Sequence, residues 1–207
     1  MSESTVSLTP DVVIASFKRA EASETRESSV PQAPDVIAER AEESTTNEAV
    51  MGLLKSHNAK FGTLTHAPTR TSEESASVRG VPLATGAKAM LLKASKALPH
   101  GSPFLLVVLS AARKADLRAL RGLLNQKSVS MASVEDVWRL TRCIPGAVPP
   151  FGSLFEGVAT YADTSITELP AINFNAGLRT HSVLHLAVED YLAIEKPTVL
   201  SFSLPME

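Results

Sequence analysis

Phe104-Leu-Leu-Val-Val-Leu109 is the segment that most limits what this 207-residue chain can fold into. An unbroken apolar run of this length, entered from a Pro99-His-Gly-Ser102 turn, predicts a fully buried strand. Lys88-Ala-Met-Leu-Leu-Lys93 reads as another strand, and residues 61–66 alternate as an earlier one. Helices stand between and around them. Thr71-Ser-Glu-Glu74 has the capping-box pattern and opens a helix that Gly80 ends. Thr45 and Glu48 match a second box, with Val50, Leu53 and Leu54 as an apolar stripe behind. Residues 116–124 form an amphipathic helix. Ser133 caps another from Val134 to about Arg142, with Glu135 and Asp136 in its first turn where the helix dipole favours them. Strands follow near residues 157–161, 171–174 and 180–184, then a helix over 187–194 and a last strand over 198–203. Short strands mixed with helices, without strict β-α-β alternation, predict an α+β fold built on a mixed sheet.

The folded part is expected over residues 45–207. Residues 1–44 are rich in Ser, Glu, Ala and Thr and hold one aromatic, Phe17. Such a segment buries too little apolar area to offset its ordering entropy, so a disordered acidic arm is expected. Within it, residues 10–20 can form a short helix. Thr9 can cap it, Pro10 suits its first position, and Val13 and Phe17 share a face. It reads either as a docking helix for a partner or as a transient turn in a disordered arm.

Charge divides the same way. Residues 1–50 carry ten acidic and four basic side chains, and residues 51–207 carry twelve and sixteen. An acidic arm is thus joined to a mildly basic body. A basic body fits a polyanion, although an ordinary solvated surface has the same balance. Cys143 is the sole cysteine, so no intramolecular disulfide can form. The five histidines are scattered without metal-ligand spacing. No run approaches the roughly 18 apolar residues of a membrane span, and no targeting segment is readable, so a cytoplasmic chain with no membrane partner is expected.

Two turns carry the chemical interest: Gly146-Ala-Val-Pro-Pro-Phe-Gly152 and Asn175-Ala-Gly-Leu-Arg-Thr-His-Ser182. Glycines let backbone approach a ligand closely, and prolines stiffen the turn that presents its N–H groups. Read on residues alone, each is first of all a loop, and Lys88 is first of all a strand residue with a snorkelling side chain. Lys93 has the opposite parity and points to the other face.

The order of these segments resembles the YbaK-like aminoacyl-tRNA editing domains, also called prolyl-tRNA synthetase-associated or INS-like domains. The likeness runs over about residues 46–197. It rests on His66-Ala-Pro-Thr-Arg-Thr-Ser-Glu-Glu-Ser-Ala-Ser-Val-Arg-Gly80, Gly86-Ala-Lys-Ala-Met-Leu-Leu92, the 104–109 strand with its following helix, Gly146–Gly152, Tyr161-Ala-Asp163 and the turn from Asn175 to His181. The resemblance implies a mixed, curved sheet with helices around a cleft. It also implies hydrolysis of the ester that joins a wrong amino acid to tRNA, without metal or cofactor, and with help from the tRNA ribose hydroxyl. The Pro-Pro-Phe-Gly loop is similar to the subgroup that removes alanine from tRNA for proline, so a free-standing alanyl-tRNA(Pro) deacylase is expected.

Residue by residue, the resemblance implies that Lys88 binds the aminoacyl-adenosine end and stabilises charge on the carbonyl. Gly146 and Ala147 grip the substrate through backbone N–H groups. Pro149, Pro150, Phe151 and Gly152 shape a tight pocket. Asn175 and Gly177 form the facing turn, with His181 and Ser182 lining the site, His181 as the second catalytic candidate. Cys143, at a helix C-terminus that raises rather than lowers its pKa, is not expected to be a nucleophile. Asp163 is expected to cap a turn, and Trp138 and Leu140 to be core. Two other readings stay open. One is a non-catalytic subunit docked to a synthetase or multi-synthetase complex through the acidic arm. The other is a deacylase of cysteinyl- or seryl-tRNA, decided by walls near Phe61, Met90 and His181. Arg113, Lys114, Arg118 and Arg121, read on one helix segment, are the best candidates for a tRNA path, and an ordinary solvated face fits them equally well.

Overall fold

The computed structural model describes residues 45–206, so the arm over 1–44, its short helix at 10–20 and the synthetase contact assigned to it lie outside the described residues. The elements run α1 (Thr45–Ser56), β1 (Gly62–Thr65), α2 (Ser72–Arg79), β2 (Ala87–Ala94), β3 (Phe104–Ser110), β4 (Arg113–Ala115), α3 (Leu117–Leu123) and β5 (Val129–Met131). Then come α4 (Val134–Thr141), β6 (Ala159–Asp163), the single-turn α5 (Thr164–Thr167), β7 (Ala171–Asn175), β8 (His181–Ala187), α6 (Val188–Glu195), β9 (Thr198–Leu200) and β10 (Ser203–Pro205). The fold is α+β with a mixed sheet.

β3 is the centre. It pairs antiparallel with β2 and parallel with β6, in a five-stranded sheet ordered β5-β2-β3-β6-β9. All seven of its residues are buried. Its side chains alternate between two cores, as a period of two requires. Phe104, Leu106 and Val108 pack with Val50, Leu54, Phe151 and Tyr191. Leu105, Val107 and Leu109 pack with Leu120 and Phe202. A continuous apolar run is therefore what this position demands.

A second sheet, ordered β1-β8-β7, is antiparallel throughout. An isolated bridge between Gly86 and Asn173 joins the two sheets. Buried Asn173 fastens this seam. Its Nδ2 donates to Thr85 Oγ1 at 2.9 Å, and its Oδ1 accepts from the His185 N–H at 2.9 Å, where the β7–β8 register slips. Glycine is required at position 86, because a Cβ there would meet Ala111 Cβ at 2.9 Å.

The capping chemistry read from sequence is present. Thr71 Oγ1 accepts from the Glu74 N–H, Glu74 reaches back to the Arg70 N–H, and Gly80 closes α2 with a left-handed φ of 65°. Ser133 caps α4 through the Asp136 N–H. α1 begins at Thr45 itself, so the expected box there lies one residue inside the helix.

Other expectations shift. The strand expected over 157–161 starts at Ala159, because Gly157 still turns the chain with a φ of 72°. The single last strand over 198–203 is two strands in different sheets: β9 pairs with β6, and β10 pairs with β4. Asp163 causes the break. Its buried carboxylate accepts from the Phe202 N–H at 2.7 Å, from Ser203 Oγ at 2.6 Å and from the Ser165 N–H at 2.9 Å. Burial alone would raise its pKa, but these donors together hold it below the usual carboxylate range. Asp163 is thus a cap and a corner clamp. Trp138 is only half-buried and belongs to neither core, whereas Leu140 packs against the first. The short strands β4 and β5 had no readable signal.

Candidate functional site

A cleft of about 220 Å³ opens at the seam between the sheets. The entry to α2, the first half of β2, the loop after α4 and the end of β7 wall it. Lys88, Gly146 and Asn175 line it together, although they are far apart in sequence.

Lys88 is half-buried, and its Nζ donates to the Arg113 carbonyl at 2.7 Å. Burial lowers its pKa, and the charge of Glu73 partly opposes that. Lys93 points to the other face, as its parity requires. There it pairs with Asp136 at 3.3 Å and lies 5.1 Å from the Phe104 ring centroid.

The Gly146 loop is clipped to the β7–β8 turn. Asn175 Nδ2 donates to the Gly146 carbonyl at 2.8 Å, and the Gly177 N–H donates to the Ala147 carbonyl at 3.0 Å. Arg179 donates to the Pro145 carbonyl from Nε at 3.1 Å and from Nη2 at 2.6 Å. Gly146 itself holds a left-handed φ of 88°, which glycine alone adopts without strain.

Arg79, in the last turn of α2, organises the floor. Its Nε donates to Ser182 Oγ at 2.8 Å and its Nη2 to Asn175 Oδ1 at 2.5 Å. Those contacts fix the Asn175 amide, oxygen toward the guanidinium and nitrogen toward Gly146. Ser182 Oγ also lies 2.7 Å from His66 Nε2. Burial lowers the Arg79 pKa to about 10. Among the described residues the only carboxylate in a salt bridge is Asp136, which pairs with Lys93 and Arg139. Arg70, Arg79 and Lys88, which all line the cleft, form no salt bridge, and the nearby Glu73 charge offsets only part of that of Lys88. Such a concavity favours an anionic ligand. Among the described residues no cluster of three or more His, Cys, Asp or Glu side chains is placed to hold a metal.

Several expected site residues lie elsewhere. The Ala147 N–H, expected to grip the substrate, donates to the Ile144 carbonyl at 3.0 Å, and Ala147 is fully buried. Pro149, Pro150, Phe151 and Gly152 are buried and do not line the cleft. Phe151 packs edge-on against Phe174 and Tyr191, and the Gly152 N–H donates to Thr160 Oγ1 at 3.0 Å. Of this loop only Gly146 and Val148 face the cleft. His181 lines a separate hollow with Asn47, Thr63 and Thr65, and its Nδ1 lies 2.8 Å from Thr180 Oγ1. Ser182 also borders that hollow, but its hydroxyl joins the Arg79 network. Of the three specificity walls, Met90 lines the cleft, His181 the hollow, and Phe61 packs against the first core. Cys143 is buried outside both, its Sγ 3.2 Å from the Thr141 carbonyl. Arg113 and Lys114 lie on β4 rather than on a helix, and Arg113 is tied to Ser203.

Nothing in the sequence marks Arg79 or Thr69 as a site residue. An Arg at the end of a helix reads as a dipole complement, and a Thr before a capping box reads as loop.

The aminoacyl-tRNA editing domain family matches residues 66–194. The chain is 34% identical over 168 residues to the multifunctional Ser/Thr-tRNA deacylase ProXp-y of Escherichia coli K12, covering 80% of this chain and 98% of that protein. Among solved structures, a candidate trans-editing enzyme for prolyl tRNA synthetase superposes with a TM-score of 0.65 at 21% identity, covering 78% of this chain and 99% of that one. The hypothetical protein APE2540 gives a TM-score of 0.65 at 19% identity, covering 75% and 99%. At such identities these two structures speak for the fold alone.

Proposed function

This chain belongs to the aminoacyl-tRNA editing domain family, and we propose that it clears tRNA of a small hydroxylated amino acid, serine or threonine, in the cleft of Lys88, Gly146 and Asn175. It is an aminoacyl-tRNA deacylase, an ester hydrolase. The hydroxyl-bearing wall of the cleft carries the choice of amino acid. Thr69, Thr71, Ser72 and Ser75 all line it. Ser75 Oγ lies 2.9 Å from the Thr71 carbonyl and 2.8 Å from Thr69 Oγ1, and the single Thr69 proton has Ser75 Oγ and, at 3.5 Å, the Arg179 carbonyl as acceptors. Whichever acceptor takes that proton, the Thr69 oxygen keeps a lone pair for a substrate hydroxyl or ammonium. A site that pairs with a substrate hydroxyl discriminates against an analogue lacking it, because its own polar group is left unpaired. The relative named for Ser/Thr-tRNA points the same way.

In this reading water adds to the ester carbonyl carbon, and the carbonyl oxygen takes up negative charge. The bond to the ribose oxygen then breaks, that oxygen takes a proton, and the free amino acid leaves. The Lys88 ammonium attracts the anionic 3′ end and lowers the energy of the charged intermediate. The neighbouring ribose hydroxyl orients the water, as the family resemblance implies. A second reading, alanyl-tRNA(Pro), is favoured by the small walls Ala76, Ala87, Ala89 and Ala111.

Deacylation rates on tRNA charged separately with serine, threonine, alanine and proline test the choice. Serine and threonine are expected to exceed alanine by about tenfold in kcat/KM, the worth of one net hydrogen bond. Alanine fastest would select the second reading. No hydrolysis of any would sink both.

A further inference from the structure

We infer that Arg79 grips the anionic oxygen of the substrate, either the developing oxyanion of the ester carbonyl or the 3′-terminal phosphate. This rests on the reaction taking place in the Lys88 cleft, and it adds a residue to that site.

A guanidinium has five N–H donors in a rigid plane. Arg79 uses Nε on Ser182 and one Nη2 proton on Asn175, and no other group among the described residues accepts from it. Nη1 is not sealed off. The one fully buried polar side-chain atom without a partner among the described residues is the Tyr191 hydroxyl, so the partnerless Nη1 of Arg79 is not fully buried. Arg79 is half-buried and lines the cleft, the concavity within its reach.

A merely structural reading fits less well. An Arg that only complemented the α2 dipole would bond carbonyls of its own last turn. Arg79 instead reaches to β7 and β8. Both of its partners are neutral, so its charge stays available. Both also hold the plane still, so little reorganisation is needed when charge develops. Asn175 holds the Gly146 carbonyl with its other end, which fixes the guanidinium and the loop relative to one another. The lowered pKa fits a desolvated cation that lacks a counter-ion.

The test compares wild type, Arg79→Gln, Arg79→Lys and Lys88→Ala on seryl-tRNA and on 3′-O-seryl-adenosine, which has no phosphate. Arg79→Gln is expected to lose roughly 100-fold in kcat/KM on seryl-tRNA, the scale of removing one oxyanion donor. A loss of similar size in kcat on seryl-adenosine assigns the contact to the ester oxyanion. A loss confined to seryl-tRNA assigns it to the phosphate. Wild-type rates for Arg79→Gln on both substrates, with Lys88→Ala inactive, would overturn the inference and leave the cleft standing. Wild-type rates for Lys88→Ala would remove the cleft as the reaction site, and this inference with it. Melting curves report whether each variant folds. Where Arg79→Gln does not fold, Arg79→Lys decides. It keeps a charge but not the fork, so a loss of about tenfold is expected and a wild-type rate overturns the role.

Discussion

Lys88→Ala is expected to lower kcat/KM for a cognate aminoacyl-tRNA by roughly 100- to 1,000-fold, the range for removing one preorganised charge from a transition state. The melting temperature should move little. Among the described residues the only side-chain hydrogen bond given up is the one to the Arg113 carbonyl, and water in the cleft can replace it. The pH dependence follows from the same geometry. Burial lowers the Lys88 pKa below the ordinary lysine value. The ammonium is present below that lowered pKa and is lost as pH rises through it. Activity, corrected for uncatalysed ester hydrolysis, should therefore fall on the alkaline side earlier than a free lysine would allow. Lys88→Arg should move that limb upward, because a guanidinium keeps its proton.

Phe151→Ala is expected to cost about 3–5 kcal/mol of stability, the usual range for emptying a buried aromatic site. Phe151 is fully buried, with ring centroids 5.7 Å from Phe174 and 5.5 Å from Tyr191 in edge-on contact. Urea denaturation should show a lower midpoint with an unchanged slope. Where the variant is still folded, its KM should stay near wild type, because Phe151 does not line the cleft. A large rise in KM with little loss of stability would return Phe151 to the substrate-binding role that family resemblance implies.

These two residues show what the sequence made legible and what it did not. Local patterns were readable wherever short-range physics decides. The 104–109 run had to be a central strand, and Thr71, Gly80 and Ser133 had to be caps. The opposite faces of Lys88 and Lys93 followed from strand parity. His181 and Ser182 are neighbours on β8 and both border the second hollow, and only the Ser182 hydroxyl reaches the Arg79 network. The proline-rich loop reads on its residues as a turn, and only the family resemblance makes it a pocket; its second half is core under Phe174 and Tyr191. Nothing local distinguishes a turn that lines a cleft from one that plugs a core. The Arg79–Asn175–Gly146 chain was illegible because each link spans distant segments. The division of the last strand was hidden for the same reason, since it depends on the Asp163 carboxylate far upstream.

Binding of a non-hydrolysable 3′-seryl-amido adenosine to the ¹⁵N-labelled full chain tests most directly where the reaction takes place. Amide shifts concentrated at Gly86, Lys88, Gly146 and Asn175, with the Arg79 Nε–H signal moving alongside, are the expected result. Shifts gathered instead around Thr63, Thr65 and His181 would contradict the placement and assign the substrate to the second hollow.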